Sequence, residues 1–549
     1  YIFIMTLISQ FLIFYLLTYF SGRGIYCLID RNNNFQDKVI NYSKNIFYPT
    51  ISLVFLGNLS IIYNFFYKIN IYFTIFFYIS TIFLNLLYFQ KINLDIINFK
   101  NFLFLLPIFY IPLSTYNLGF SYDAGLYHLN FQNWLRSEKI IFGLSNLHMR
   151  YGYSSIFDYI NANFWINENF LLLHFTNILF IIFFFQLISD QILINKNKTL
   201  GIATALLIFG FLDNFGINGG KNGFIEIEGI TKYDTVFGIV FITFIVLFIS
   251  ALSKEDLNLL DIKFLGIYLI FAIQLRPLGL LLLIPFIYLL FFNSHIIRKN
   301  FYIALLVISS VHFIKNLINS GCLIFPIEPL CFNNLDWYQK GYAQSESENI
   351  RQSLRSYSFD ENIVDWFYYW SDKNSYNSST LFNYFATVII IYLIILLFFK
   401  LRISYKIFIY VLFGNISLVL IWMVTTPNPR FGIGLFMTSS LLLINYIIDS
   451  RFERNLIKNL NIALYCLSLV FFLRVTSIVA FIQDPLKDFT IVIPDNIAYS
   501  ENKNGQIVRS DNSEQCWVNK FCVPTYSRNV EIEKINLNYK KIKIAEVKN

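Results

Sequence analysis

Charge is scarce in this chain. Asp, Glu, Lys and Arg make up 14% of its 549 residues, against about a quarter in an ordinary soluble domain. Hydrophobic residues reach 56%, with a mean hydropathy of +0.55. A soluble core cannot absorb that excess, so an ordinary soluble globular fold is excluded. The Lys and Arg that give a net charge of +8 are spread thinly. No clustered basic face is present, which excludes a nucleic-acid partner. Carboxylates are almost missing from the long apolar runs, whose main inner ionisable groups are His174 and His312. Proton-coupled transporters need acidic relays at mid-membrane, so this scarcity counts against transport. The chain opens on Tyr1 inside an apolar run. No small-residue cleavage site follows Phe20, so that run reads as a span and not as a cleaved leader, and whether the N-terminus is complete stays open.

What is there is apolar sequence in span-sized pieces. Runs near the length that crosses a hydrocarbon core, about 20 residues, begin near Ile2, Phe47, Ile69, Phe102, Asn169, Thr199, Thr235, Ile262, Leu278, Asn300, Thr380, Lys406, Arg430 and Asn459. The expectation is an all-α polytopic membrane protein with about fourteen transmembrane helices. Alternate short loops are basic: Arg23 to Lys44, Lys91 and Lys100, Lys196 and Lys198, Lys254 and Lys263, Arg298 and Lys299, Lys400 to Lys406, and Arg451 to Lys458. Positive charge is retained on the cytoplasmic side. That rule places both termini and the long loops 119–168, 214–234 and 317–379 on the extracytoplasmic side. The register requires the chain to break at Arg276-Pro277, which puts Arg276 among those outer loops. Beyond about Gln483 hydrophobicity falls and a period-two pattern appears (Val530, Ile532, Ile535, Leu537, Tyr539, Ile542, Ile544), predicting a small strand-rich cap. The domain expectation is 1–100 for N-terminal spans, 101–482 for a core with outer loops, and 483–549 for the cap.

Two cysteine pairs fall on the expected outer side, Cys322 with Cys331 and Cys516 with Cys522, each close enough to close a small disulfide in an oxidising compartment. Neither pair has the further Cys or His ligands of a zinc site, so no metal site is expected there.

The densest cluster of polar and aromatic residues runs from Ser121 to Ser155. Ala124, Tyr127, Phe131 and Trp134 recur at helical spacing with His128, Gln132 and Arg136 opposite, predicting an amphipathic helix lying on the outer membrane surface. Asp123 stands at its start, where it is either the N-cap or a fixed catalytic carboxylate. His128, His148 and Arg150 match no metal spacing and read as substrate contacts, or as interfacial residues bonded to backbone. Arg276 and Arg430 sit at outer helix ends, as snorkelling anchors or as a clamp for a phosphate group. Lys221, in Gly219-Gly220-Lys221-Asn222-Gly223, could assist. That cluster lacks the Gly-Lys-Ser/Thr ending of a P-loop.

This layout resembles the GT-C superfamily of polytopic, lipid-phosphate-sugar-dependent glycosyltransferases. Asp123 with Tyr127 and Trp134 looks like that superfamily's first large outer loop, and Arg276 and Arg430 occupy places comparable to its phosphate-binding residues. The strings Asp-x-Gly-Leu-Tyr-His (123–128), Gly-Leu-x-Asn-Leu-His-x-Arg (143–150), Pro-x-Pro-Arg-Phe-Gly (427–432) and Cys516-Trp517 to Cys522-x-Pro524 resemble, over most of the chain, a family of uncharacterised bacterial membrane proteins. The resemblance implies an inverting glycosyltransferase of the bacterial inner membrane. Asp123 would be its base, and a polyprenyl-phosphate sugar and a glycan, lipid or protein acceptor would be its partners besides membrane lipid. It implies no certain cofactor. Without a second acidic residue beside Asp123, need for a divalent cation stays open. Several spans precede the loop, where the superfamily usually has one. The rival expectations are a transporter or flippase of lipid-linked saccharides and a non-catalytic envelope assembly factor.

Overall fold

The computed structural model describes residues 2–29, 44–87, 107–167, 169–194, 197–213, 216–217, 226–227, 229–252, 259–292, 299–355, 362–373, 382, 405–425, 428–445, 454–475, 493, 499–501, 507–509, 515–519, 522–523, 530–535, 537 and 539–544. It is mostly helical. Among the described residues four helices are long and apolar enough to cross a membrane: Thr6–Ile29, Lys44–Phe66, Leu171–Leu193 and Asp234–Leu252. Six further apolar helices are shorter, among them Ile71–Leu87, Ile262–Leu275 and Ile457–Leu473. Several of the other expected runs lie partly outside the described residues. Pro112 lies at the start of the 3-10 segment Ile111–Asn117, where a missing N–H and a fixed φ interrupt a regular helix.

The helix Leu171–Ile194 forms the centre, apolar on every side and packed against Asn197–Asp213, Asp234–Leu252 and Arg454–Val475. A helix without a polar face belongs inside a bundle. The first three helices cross where side chains are small. Gly22 lies against the backbone of Tyr48 and Gly24 against that of Thr81, so neither position has room for a Cβ. There Ser52 donates to Ser21 (3.0 Å), and Ser21 bonds Thr81 (2.8 Å). Close approach and interhelical hydrogen bonds hold such helices where lipid offers no hydrophobic drive.

The chain breaks at Arg276-Pro277. The helix Leu259–Leu275 ends, the 3-10 turn Pro277–Leu282 folds back so that Gly279 abuts Ala272, and Leu283–Phe292 follows. Reciprocal amide bonds between Gln274 and Asn58 (2.7 and 3.1 Å) pin the end of this helix to Lys44–Phe66.

The C-terminal part forms short strands. Tyr499–Glu501, Ile507–Arg509 and Cys522–Val523 make one small sheet, and Val530–Ile535 pairs antiparallel with Tyr539–Ile544. This hairpin is tied to the 138–146 stretch: Phe142 N–H donates to Lys540 O (3.0 Å), Ile542 N–H donates to Phe142 O (2.9 Å), and Lys540 pairs with Glu138 (2.7 Å).

Candidate functional site

The stretch that begins at Ser121 does not lie on a surface. A π-helical turn, Ala124–His128, runs straight into the helix Leu129–Ser137, and both sides of this unit are packed. His128, Asn130 and Gln132 are all buried. The amphipathic surface helix expected from the spacing is thus corrected, because its polar face meets protein and not water. Gln132 donates to Asp158 (3.1 Å), and the side chains of Asn130 and Asn133 donate to the backbone of Asn519 and Val518. The backbone N–H groups of Cys516 and Trp517 both donate to Gly125 O at 2.7 Å. A Cβ on Gly125 would meet the Trp517 ring at 2.8 Å. The loop closed by the Cys516–Cys522 disulfide therefore sits directly on the π turn.

Asp123 precedes that turn but does not cap it. Ser121 Oγ accepts from Ala124 N–H (3.1 Å) in its place. Among the described residues no hydrogen bond or ion pair reaches the partly buried Asp123 carboxylate. Ser121 Oγ also donates to Ile230 O (3.2 Å), which brings the 229–234 segment alongside.

That segment carries two residues that the sequence reading missed. Tyr233 lies edge-on to His128, ring centroids 5.5 Å apart, with the Arg276 guanidinium 5.4 Å over its ring. Burial pushes the Tyr233 hydroxyl up to about 12, with Asp158 and Asp123 adding to the rise and Arg276 opposing it. Asp123 and Arg276 thus act electrostatically on one phenol. Its neighbour Asp234 is 4% exposed and pairs with both expected arginines, Arg276 directly and Arg430 through Nε at 3.6 Å. The Phe431 ring lies against both guanidinium groups, its centroid 4.5 Å from Arg276 and 4.7 Å from Arg430. Within this trio two guanidinium groups share one carboxylate, and Asp234 and Arg276 make further contacts beyond it. Both arginines keep part of their side chains in the open, 26% and 34%. A group of this kind accepts an anion, and planar guanidinium forks suit a phosphate.

The other expected residues lie on the far flank of Tyr127. Tyr127 stacks on His148 (6.2 Å, interplanar 11°) and contacts the His128 ring (4.1 Å). Burial, with the Arg150 charge added, holds the His148 imidazole down at about 3, so it is neutral. Arg150 faces Glu346 (Nε to Oε1 3.4 Å), a carboxylate 1% exposed that also accepts from Tyr153 OH (2.8 Å). Burial raises the Glu346 carboxyl above its ordinary value, against the pull of Arg150. The structure therefore brings Asp123, Tyr127, His128, His148, Arg150, Arg276 and Arg430 into one neighbourhood. It engages Arg150 in an ion pair already. Lys221 lies outside the described residues. Cys322 and Cys331 are joined by a disulfide, and Cys322 is buried together with Phe325 and Tyr342. Trp370 is buried against Trp422 (ring centroids 6.0 Å apart), whose Nε1 donates to Asn428 O (2.9 Å).

Asp158 was also missed. It sits at 4% exposure in the helix Ile156–Ala162 and takes a hydrogen bond from His128 (2.9 Å). Among the described residues no three His, Cys, Asp or Glu side chains gather as a metal site would require.

The family described as a domain of unknown function (DUF8201) matches residues 3–437. The chain belongs to the DUF8201 family. The matched part of this DUF8201 protein includes Asp123, Tyr127, His128, Asp158, Asp234, Arg276 and Arg430, and it stops before the Cys516–Cys522 loop that packs on them. No curated protein and no solved structure matches the chain.

Proposed function

We propose that this protein is an inverting glycosyltransferase. It moves a sugar from a polyprenyl-phosphate-linked donor to a cell-envelope glycan, lipid or protein. The observation that carries this reading is the shared carboxylate: Arg276 and Arg430 both meet Asp234, and Arg276 lies over the ring of a tyrosine that also feels Asp123.

In this reading the donor phosphate enters beside the two arginines, with Asp234 holding them in place and the Phe431 ring lying against both. The acceptor hydroxyl lies near Asp123, which draws its proton while the acceptor oxygen attacks the anomeric carbon. The bond from that carbon to the phosphate oxygen breaks, and the phosphate departs with the electron pair. Cations already aimed at the place where charge develops supply a large part of such a rate enhancement. One displacement inverts the anomeric centre.

The proposal places the site on the extracytoplasmic face of a bacterial inner membrane, in a bundle of about fourteen spans with both termini outside. Alternating basic loops support that orientation. Two disulfides on the side of the site fit an oxidising compartment.

Purified protein in lipid nanodiscs, given a polyprenyl-phosphate sugar and an acceptor extract, tests the reading. Asp123→Asn is expected to cut transfer at least ~100-fold. Full retention of transfer by that variant removes Asp123 as the base.

A further inference from the structure

The buried pair His128–Asp158 has no part in that scheme, yet its hydrogen bonds leave one nitrogen in a defined state. Trp165 Nε1 is a donor only, and it bonds Gln132 Oε1 (2.8 Å). The amide of Gln132 is thereby turned so that its NH2 group faces Asp158 Oδ1 (3.1 Å). Asp158 Oδ1, receiving that donor, also faces His128 Nδ1 at 2.9 Å. An ionised carboxylate can only accept, so Nδ1 carries the hydrogen, and in the neutral tautomer this leaves the lone pair on Nε2. Nε2 makes no hydrogen bond among the described residues. The His128 side chain as a whole keeps 3% of its surface exposed.

The place of this nitrogen matters as much as its state. His128 closes the π turn that Asp123 opens, with the Leu129 N–H bonded to Ala124 O, five residues back. π turns of this kind are frequent at functional sites. The ring touches Tyr127 on its own turn and Tyr233 from the neighbouring segment, one aromatic ring away from Arg276.

We propose that His128, oriented by Asp158, receives the proton that the reaction releases. This rests on the transferase reading given above. The acceptor O–H bond breaks as the new glycosidic bond forms, and the phosphate leaves with its electrons. The proton drawn by Asp123 passes to Nε2 of His128. The imidazolium so formed keeps its Nδ1–H on Asp158, which stabilises the charge, as a carboxylate does in a His–Asp pair. The carboxylate of Asp123 is then ionised again for the next acceptor.

Asp158 on Ile156–Ala162, Tyr127 on the same turn and Tyr233 on the adjoining segment contact this ring. The charged and titratable groups that act on or touch those three neighbours are Asp123, His148, Arg150, Arg276 and Lys315 on the helix Lys299–Ser320. Lys315 is wholly buried and acts on Asp158.

The experiment is the pH profile of transfer by the full-length protein in nanodiscs with a polyprenyl-phosphate sugar. Removing the negative charge beside an imidazole favours its neutral form. Asp158→Asn is therefore expected to move the acid limb of the profile to lower pH and to lower the maximal rate about 10-fold or more. His128→Gln, which keeps a polar group of similar reach, is expected to remove that limb and cut the rate roughly 100-fold. An acid limb that neither variant moves overturns the assignment.

Carbethoxylation of histidine, located by mass spectrometry, reads the same nitrogen without turnover and also guards against misfolded variants. Wild-type His128 is expected to be labelled, and a His128 that resists the reagent in folded protein overturns the assignment by itself. If His128 is labelled but the wild type transfers no sugar, the transferase reading fails, and with it the proton that the pair would carry.

Discussion

Two buried carboxylates on the functional side of this molecule meet arginine, and they meet it in different proportions. Glu346 faces one arginine, Arg150, and is fixed further by the Tyr153 hydroxyl. Asp234 faces two, Arg276 and Arg430. The first group is balanced in charge and ties the helix Tyr342–Arg355 onto the turn Met149–Gly152. The second sets two arginines against one carboxylate, a surplus of positive charge within the trio. In the proposed function, that proportion separates an ion pair that joins two elements from one that takes an anionic ligand.

The largest effect should come from taking that surplus away. Arg276→Gln and Arg430→Gln are each expected to lower sugar transfer by about 100-fold or more, the scale seen when one preorganised donor to a developing anion is lost. Arg150→Gln is expected to change the rate only a few-fold. Parallel rate measurements on the three variants check this, and an equal loss in all three would erase the distinction between the sites.

A second effect sharpens the contrast from the other side. Glu346→Ala leaves Arg150 half-buried without its carboxylate, and about 1–2 kcal/mol of stability should be lost after discounting for the exposed part of the guanidinium. Tyr153→Phe removes only the neutral donor to the same carboxylate, at a cost of about 1 kcal/mol. Denaturation midpoints in detergent report both. If Glu346→Ala unfolds no more easily than wild type, Arg150 is not held by that pair.

How much of this could be read from sequence depends on whether a residue's partner is local. The break at Arg276-Pro277 was legible because proline cannot continue a helix. Cys516 and Cys522 could be paired because only 6 positions separate them. Asp158 and Asp234 were passed over. Asp158 lies inside the short buried helix Ile156–Ala162 and Asp234 opens the apolar helix Asp234–Leu252, where a lone carboxylate ought to signal a distant partner. Those partners, His128 and the two arginines, lie about 30 or more positions away. The polar face of the 124–137 unit was read as wet for the same reason. Nothing nearby in sequence announces that Val518 and Asn519 cover it. Phase added its own error. A regular 3.6-residue helix was assumed, whereas the first turn closes over five residues and changes which side chains line up.

The smallest expected effect concerns His148, which accepts a hydrogen bond from the Arg150 N–H at 3.2 Å and belongs to the balanced side of the comparison. Burial, followed by the positive charge of Arg150, lowers its pKa from the usual 6.5 to about 3. A histidine held neutral in the fold binds a proton more readily once unfolded. Its contribution to stability is therefore complete above about 6.5 and is lost progressively as pH falls toward about 3. His148 keeps some exposed surface, which reduces the size of the effect. Thermal midpoints of wild type and His148→Gln, compared from about pH 7 to about pH 4, should show a shallower acid decline in the variant. Identical slopes would mean that the imidazole is free to take up its proton in the folded protein. The Arg150 flank would then be as open to solvent as the pair of arginines around Asp234.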